Sequence, residues 1–79
     1  MSVKELSALL VGEGFHIVGN SSWEMWKTTI TLSKGFLYVI QNGVSTLSFP
    51  FREYDDFYMM VIDGNLDIWW GDMVYTHKI

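Results

Sequence analysis

Hydrophobic and polar positions in this chain follow a helical spacing near the start and an alternating spacing almost everywhere else. Ser2 and Glu5 form an S-x-x-E capping box, in which the serine oxygen accepts the third helical amide and the glutamate reaches back to the cap. Apolar residues then recur at spacings of three, four and seven, and Gly12 is a typical helix end. The stripe consists of Val3, Leu6, Leu9 and Leu10. The pattern predicts a helix of about nine residues that must dock by this stripe, because so short a helix is not stable alone.

Strand-like alternation begins at residue 15. Residues 15–18 form a short candidate strand between turn-forming residues. Residues 23–32 alternate as one longer strand, and their threonines favour a strand over a helix. One face of it would carry Trp26, Thr28, Ile30 and Leu32, and the other Met25, Lys27, Thr29 and Thr31. The sequence Ser33-Lys34-Gly35 then predicts a three-residue turn.

Asn42-Gly43 is the strongest turn signal in the chain, because a type I′ turn needs positive φ at both of its central residues. With these two residues as the loop, residues 36–41 pair with residues 44–49. One face then holds Phe36, Tyr38, Ile40, Leu47 and Phe49, and the other Leu37, Val39, Val44, Thr46 and Ser48. The first face is more apolar, and we therefore predict that it faces the core.

A second hairpin is predicted after Pro50, which cannot donate to a strand ladder and leaves residues 51–56 as a connection. A turn at Asp63-Gly64 or at Gly64-Asn65 gives the same facing. Phe57, Met59, Val61, Leu66, Ile68 and Trp70 then share one face, and Tyr58, Met60, Ile62, Asn65, Asp67 and Trp69 the other. Residues 73–77 would add a short closing strand.

Together these elements predict a single α+β domain over residues 1–79. It would consist of one short N-terminal helix on a twisted antiparallel sheet of about five to seven strands, a meander of hairpins with partial closure into a barrel as a variant. A chain of 79 residues builds only one modest core. The N-terminus does not resemble a signal peptide, and no apolar run approaches the roughly 18 residues of a membrane span. We therefore expect a soluble, cytoplasmic protein without membrane contact.

The net charge of −4 is unevenly distributed along the chain. In residues 1–49 three lysines balance three glutamates, whereas residues 50–79 hold two basic and six acidic side chains. An acidic final third attracts basic partners and repels phosphate backbones. The sequence therefore favours a protein partner with a basic surface and disfavours direct binding of nucleic acid.

No set of residues has the pattern of a catalytic or metal site. His16 and His77 are the only histidines, and there is no cysteine to act as a nucleophile. Asp55 and Asp56 are adjacent, so their side chains diverge on an extended segment and cannot face one cleft. Residues 63–67 resemble the start of a calcium loop but lack the distal glutamate. We predict no enzyme activity, no cofactor and no metal.

Aromatic residues are more numerous than a small core needs, with four tryptophans, four tyrosines and five phenylalanines. The side chains predicted to exceed the interior are Trp23, Trp26, Tyr54, Tyr58, Met60 and Trp69. Tryptophan, tyrosine and methionine are typical of binding surfaces, and acids among them select basic partners. The predicted partner-binding residues are Tyr54, Asp55, Asp56, Tyr58, Met60, Asp67, Trp69 and Asp72.

Three functions fit this pattern. The first is a non-catalytic protein-binding module that inhibits or regulates a partner with a basic surface, such as a nucleic-acid-handling enzyme, and a virus-encoded inhibitor is one such class. The second is a structural protein that forms a homodimer through the same aromatic face. The third is a small-ligand domain with aromatic walls, although no polar groups converge in the sequence to orient a ligand.

Overall fold

The computed structural model describes residues 1–52 and 57–79, which form one helix and eight strands. In chain order they are α1 (Val3–Gly12), β1 (His16–Gly19), β2 (Ser22–Met25), β3 (Thr28–Ser33), β4 (Phe36–Gln41), β5 (Val44–Pro50), β6 (Phe57–Ile62), β7 (Asn65–Trp70) and β8 (Met73–Lys78). The predicted α+β class is confirmed, but the strand count is higher than predicted. Within the described residues the strands form two antiparallel sheets and do not close into a barrel.

The capping box begins α1 as the sequence predicts. The Ser2 hydroxyl oxygen accepts a hydrogen bond from the Glu5 amide at 3.1 Å, and the Ser2 amide donates to the Glu5 carboxylate at 3.0 Å. These bonds to Ser2 lower the pKa of the Glu5 carboxyl from its ordinary value. Leu6 and Leu10 are buried, so the apolar stripe docks as expected. In the part of the chain that the structure describes, no helix has the length and apolar character needed to span a membrane.

The large sheet has the order β1-β2-β3-β4-β5, in which each strand pairs with its neighbour in the chain. The prediction of one strand over residues 23–32 is wrong, because the chain reverses at Trp26-Lys27 and Met25 pairs with Thr28. Trp26 has a φ of 54° and lies at the tip of this turn. A bulky residue rarely adopts such a φ. The reversal contains none of the residues that usually form turns, such as glycine, proline or asparagine, so the sequence does not mark it.

The turn between β3 and β4 is also shorter than predicted. Ser33 pairs with Phe36, so the loop is Lys34-Gly35 and not the three residues Ser33-Lys34-Gly35. Both loop residues have positive φ, at 51° and 81°, as a type I′ turn requires. Lysine takes here a backbone region that usually favours glycine or asparagine.

The turn between β4 and β5 is the predicted Asn42-Gly43, with φ values of 52° and 79°. The register beyond it differs from the prediction. Ile40 pairs with Ser45, but Val39 pairs with Leu47, so Thr46 is an extra residue in a β-bulge. The Thr46 hydroxyl donates to the Val39 carbonyl oxygen at 3.2 Å.

The bulge changes which side chains of β4 face the core. Leu37 and Val39 are fully buried, and the predicted core residue Phe36 is 42% exposed. The core assignment of Phe36, Tyr38 and Ile40 is therefore wrong. On β5 the predicted residues Leu47 and Phe49 do contact the core. Because strand side chains alternate, one inserted residue moves the whole partner strand to the opposite face.

The small sheet has the order β6-β7-β8 and follows the sequence prediction closely. Its first turn is Asp63-Gly64, with φ values of 51° and 75°, and Ile62 pairs with Asn65. Met59, Leu66 and Ile68 are buried on the inner face, as the alternation predicts. The predicted closing strand is β8, whose Met73 pairs with Trp70.

The core lies between α1 and the inner faces of the two sheets. Its buried apolar residues are Leu6, Leu10, Phe15, Trp23, Ile30, Leu37, Val39, Phe49, Met59, Leu66 and Ile68. Trp23 is only 2% exposed, and its indole Nε1 donates to the Ser7 hydroxyl at 3.0 Å, which connects α1 to β2. The prediction that Trp23 exceeds the interior is therefore wrong. The Phe49 ring stacks on Trp70 at 5.2 Å and connects the two sheets.

Candidate partner-binding surface

The structure brings the described members of the predicted site to one region. Tyr58, Met60, Asp67 and Trp69 lie on the side of the small sheet that faces away from the core, which we call the small-sheet outer face. Asp72 follows in the turn between β7 and β8. The predicted site residues Tyr54, Asp55 and Asp56 lie outside the described residues. The whole face comprises Tyr58, Met60, Ile62, Asn65, Asp67, Trp69, Val74, Thr76 and Lys78.

An apolar row crosses this face at one end. Trp69 on the central strand pairs with Tyr58 on one side and with Val74 on the other. The rings of Tyr58 and Trp69 are 6.0 Å apart and tilted by 57°. Tyr58 is 44% exposed and Val74 is 54% exposed, so the row is open to solvent. Strand pairing fixes the backbone that carries these side chains, so a bound partner would have little backbone to order.

The middle row places a carboxylate between two uncharged side chains. Asp67 pairs with Met60 on β6 and with Thr76 on β8. The side chain is half-buried, and its Oδ1 is covered from solvent without a hydrogen-bond donor among the described residues. A covered carboxylate oxygen without a donor is unfavourable, because it has lost water without gaining a bond. A cationic group close to this row would offset that deficit by its charge, without direct contact with Oδ1.

The third row and the two turns complete the charge pattern. Asn65 pairs with Ile62 and with Lys78, so a cation lies at the end of the face opposite the aromatic rings. Asp72 and Asp63 are exposed in the turns at the two ends of β7. Acidic groups therefore lie at both ends and in the centre, and Lys78 is the basic side chain on this face within the described residues.

Sequence reasoning missed the turn at Trp26-Lys27 as a separate feature. Trp26 is 76% exposed at the turn, and it lines a recess of about 320 Å³ together with Lys27, Gln41 and Lys78. The Gln41 side-chain amide donates to the Lys78 carbonyl oxygen at 2.7 Å and so connects the two sheets beside the recess. The prediction that Trp26 lies outside the interior is confirmed, although on a turn and not on a strand face.

The two histidines lie apart. His16 is exposed on the edge strand β1. His77 pairs with Leu66, and its Nε2 is covered from solvent without a partner among the described residues. Burial lowers the pKa of His77 from its ordinary value. Within residues 1–52 and 57–79 no group of three or more histidine or acidic side chains has the arrangement of a metal site.

Comparison with protein-family models, curated proteins and solved structures found no match for this chain. The function must therefore be argued from the chemistry of its surfaces.

Proposed function

We propose that this chain is a non-catalytic, cytoplasmic protein-binding module that inhibits or regulates a partner with a basic surface. The binding site is the small-sheet outer face. The observation that carries the proposal is the exposed row of Tyr58, Trp69 and Val74 beside the carboxylate of Asp67. An apolar row next to charged groups is the usual composition of a protein interface.

The aromatic row supplies the affinity in this proposal. Tryptophan and tyrosine are enriched among the residues that carry most of the binding energy at interfaces. Trp69 lies on the central strand of the small sheet, and Met60 in the next row offers a contact that adapts to different partner shapes. A partner that covers Trp69 would exclude water from both the ring and the neighbouring carboxylate.

The carboxylates supply selectivity for a basic partner. Asp67 is half-buried in the middle row and its Oδ1 has no donor among the described residues, and Asp72 adds a second charge next to the aromatic end. Complementary charges increase the association rate and reject wrongly charged partners. A nucleic-acid-handling enzyme fits this chemistry, because its phosphate-binding surface is basic. Carboxylates of this face would then occupy the place of phosphates and inhibit the enzyme.

Affinity capture with the tagged chain tests the proposal. We expect the double variant Tyr58→Ser with Trp69→Ser to bind the captured partner at least about 30-fold more weakly, because ring side chains in interface centres contribute most of the binding energy. A matched control is Phe36→Ser with Tyr38→Ser, since these rings form a similar pair on the large sheet at 6.3 Å. Equal binding by the two double variants would contradict the proposal.

Charge reversal tests the electrostatic part. Asp67→Lys with Asp72→Lys should weaken capture and flatten its dependence on salt. The control Glu13→Lys with Glu24→Lys makes the same change in net charge away from this face. If both pairs weaken capture equally, only the overall charge matters and the role of this face is wrong.

A homodimer through the same face is the second candidate. It is favoured by the continuation of the apolar row onto the edge strand, where Met73 and Val74 are 53% and 54% exposed. An isologous interface would cover these side chains. Sedimentation velocity over a dilution series should then show a concentration-dependent dimer that the variant Tyr58→Ser with Trp69→Ser lacks. A monomer at every concentration would remove this candidate.

A further inference from the structure

The outer edge of β8 borders the small-sheet outer face and presents backbone groups that have no hydrogen-bond partner among the described residues. The Ile79 amide donates to the Gly64 carbonyl oxygen at 3.0 Å, and these two residues continue the register of the β7–β8 ladder. In an antiparallel pair, alternate residues exchange both hydrogen bonds with their partner. Tyr75 and His77 therefore bond to β7. The residues that alternate with them, Val74, Thr76 and Lys78, turn their N–H and C=O groups away from β7.

One end of this edge is already occupied. The Lys78 carbonyl oxygen accepts the Gln41 side-chain amide at 2.7 Å, as expected for a group that points away from β7. For Val74 and Thr76 the described residues provide no backbone partner. A stretch of two residues with two donors and two acceptors is thus left open, and Gln41 limits it on one side.

The edges of the large sheet are less regular. The β1 ladder is irregular between Ile17 and Gly19, and β5 carries the bulge at Thr46 and ends at Pro50. Bulges and proline are common devices that prevent a sheet edge from pairing with another chain. The β8 ladder is regular from Met73 to Lys78 and contains no proline.

The two edges of the small sheet also differ in the side chain that lies between Asp67 and the edge. Met60 lies between Asp67 and the β6 edge, whereas the shorter Thr76 lies between Asp67 and the β8 edge. Because Asp67 and Thr76 do not exchange backbone bonds, their side chains approach closely. A long side chain can therefore cross Thr76 towards the carboxylate.

We propose that β8 accepts an extended segment of the protein partner as a fourth strand of the small sheet. The segment runs antiparallel to β8, with an apolar residue opposite Val74 and a lysine or arginine opposite Thr76. This inference rests on the proposed function, because its occupant is a segment of the same partner. Strand addition of this kind uses backbone bonds for affinity and alternate side chains for selectivity.

The register follows from the two rows of the face. A residue opposite Val74 extends the apolar row of Tyr58 and Trp69. A residue opposite Thr76 lies two strand spacings from Asp67, about 10 Å between backbones. Its cationic group can donate to the Asp67 carboxylate, whose Oδ1 has no donor among the described residues. Because the segment is antiparallel to β8, its sequence from N- to C-terminus is a basic residue, any residue and an apolar residue.

A synthetic heptapeptide, Ser-Thr-Arg-Thr-Val-Thr-Ser, tests this register on the full chain by amide hydrogen exchange and NMR titration. We expect bound peptide to slow exchange at the Val74 and Thr76 amides about tenfold or more, because they gain acceptors. The peptide with glutamate in place of arginine should bind at least about fivefold more weakly, since it places like charges in one row. The peptide with arginine and valine exchanged should also bind more weakly.

Thr76→Pro provides the decisive variant, with Thr76→Val as its control. Proline removes the N–H that points to the open edge, and it is tolerated there because that N–H is not part of the β7 ladder. We expect Thr76→Pro to lose peptide binding and Thr76→Val to retain it. If Thr76→Pro does not fold, methylation of the arginine backbone nitrogen in the peptide removes the matching bond and should abolish binding in the same way.

Peptide binding that leaves Val74 and Thr76 exchange unchanged would overturn the inference, as would no binding at millimolar peptide. If partner capture still requires Tyr58 and Trp69 in that case, the proposed function stands and only strand addition fails. If capture is also independent of these rings, both fail. A dimer of this chain that is lost in Thr76→Pro would assign the edge to a second copy and overturn the choice of occupant.

Discussion

The large and small sheets are built alike but present different outer faces. Both consist of sequential antiparallel hairpins, and both contribute buried apolar side chains to one core. The outer face of the large sheet carries the ring pair Phe36–Tyr38 among hydroxyl groups, and Ser22 and Thr31 share a hydrogen bond of 2.7 Å on it. Tyr58, Met60 and Trp69 occupy the corresponding side of the small sheet. Backbone architecture therefore does not distinguish the two surfaces, and side-chain chemistry does.

The edges of the two sheets also differ, and again the small sheet is the more open one. Irregular pairing at β1 and the bulge and proline of β5 protect the large sheet from further pairing. The regular edge at β8 lacks these devices. Protection is thus concentrated in one sheet, and the other keeps a regular edge beside the proposed binding face.

The largest expected effect separates an inner tryptophan from an outer one. Trp23→Ala should lower the free energy of unfolding by about 3–5 kcal/mol, because it leaves a cavity and removes the bond to Ser7. Trp69→Ala should cost only about 1 kcal/mol, because its ring lies on the outer face. Urea unfolding of both variants measures the difference. Similar costs would mean that the two faces do not differ in burial.

The bulge at Thr46 predicts a contrast between neighbours on β4. Leu37→Ala should destabilise the protein by about 2–5 kcal/mol, since Leu37 is fully buried. Phe36→Ala should cost less than about 1 kcal/mol, because Phe36 lies on the outer face and is 42% exposed. Chemical denaturation compares the two variants. A larger cost for Phe36→Ala than for Leu37→Ala would favour a β4–β5 register without a bulge, and the burial of Leu37 would then be wrong.

Trp26 provides a test with a smaller expected effect, at the turn between β2 and β3. Trp26→Gly should raise the free energy of unfolding by about 1 kcal/mol, because glycine adopts positive φ without strain. Trp26→Ala keeps a β-carbon at this φ and should remain close to the original stability. Urea midpoints of the two variants give the result. Equal stability would show that the backbone at this position carries no strain.

The smallest effect concerns the dependence of stability on pH. Burial lowers the pKa of His77 below its ordinary value of 6.5, so between these two values the unfolded chain binds more protons than the folded one. Stability should therefore fall as the pH decreases through about 6.5 and level off below the folded pKa. His77→Leu should flatten this slope in urea midpoints measured between about pH 5 and pH 8. His16→Leu, at an exposed position, is the control, and an equal flattening by it would contradict the assignment to His77.

Local signals predicted the elements whose formation depends on a few adjacent residues. The capping box began α1, and Asn42-Gly43 and Asp63-Gly64 formed their turns because each sequence satisfies a local backbone requirement. On the small sheet, the turn and the alternation together gave the correct inner and outer sides. The position of Tyr58, Met60, Asp67 and Trp69 on one face could therefore be predicted from the sequence. The sequence did not predict that Val74 and Thr76 form the edge next to this face.

What the sequence determined by itself is therefore the α+β class, the helix start, two hairpin turns and the facing of the small sheet. The tertiary structure alone decided the reversal at Trp26, the bulge at Thr46 and the burial of Trp23. These three features share a physical cause. Alternating strands can turn and pair in more than one register, and the burial of Trp23, Leu37 and Val39 in one core selects among these registers.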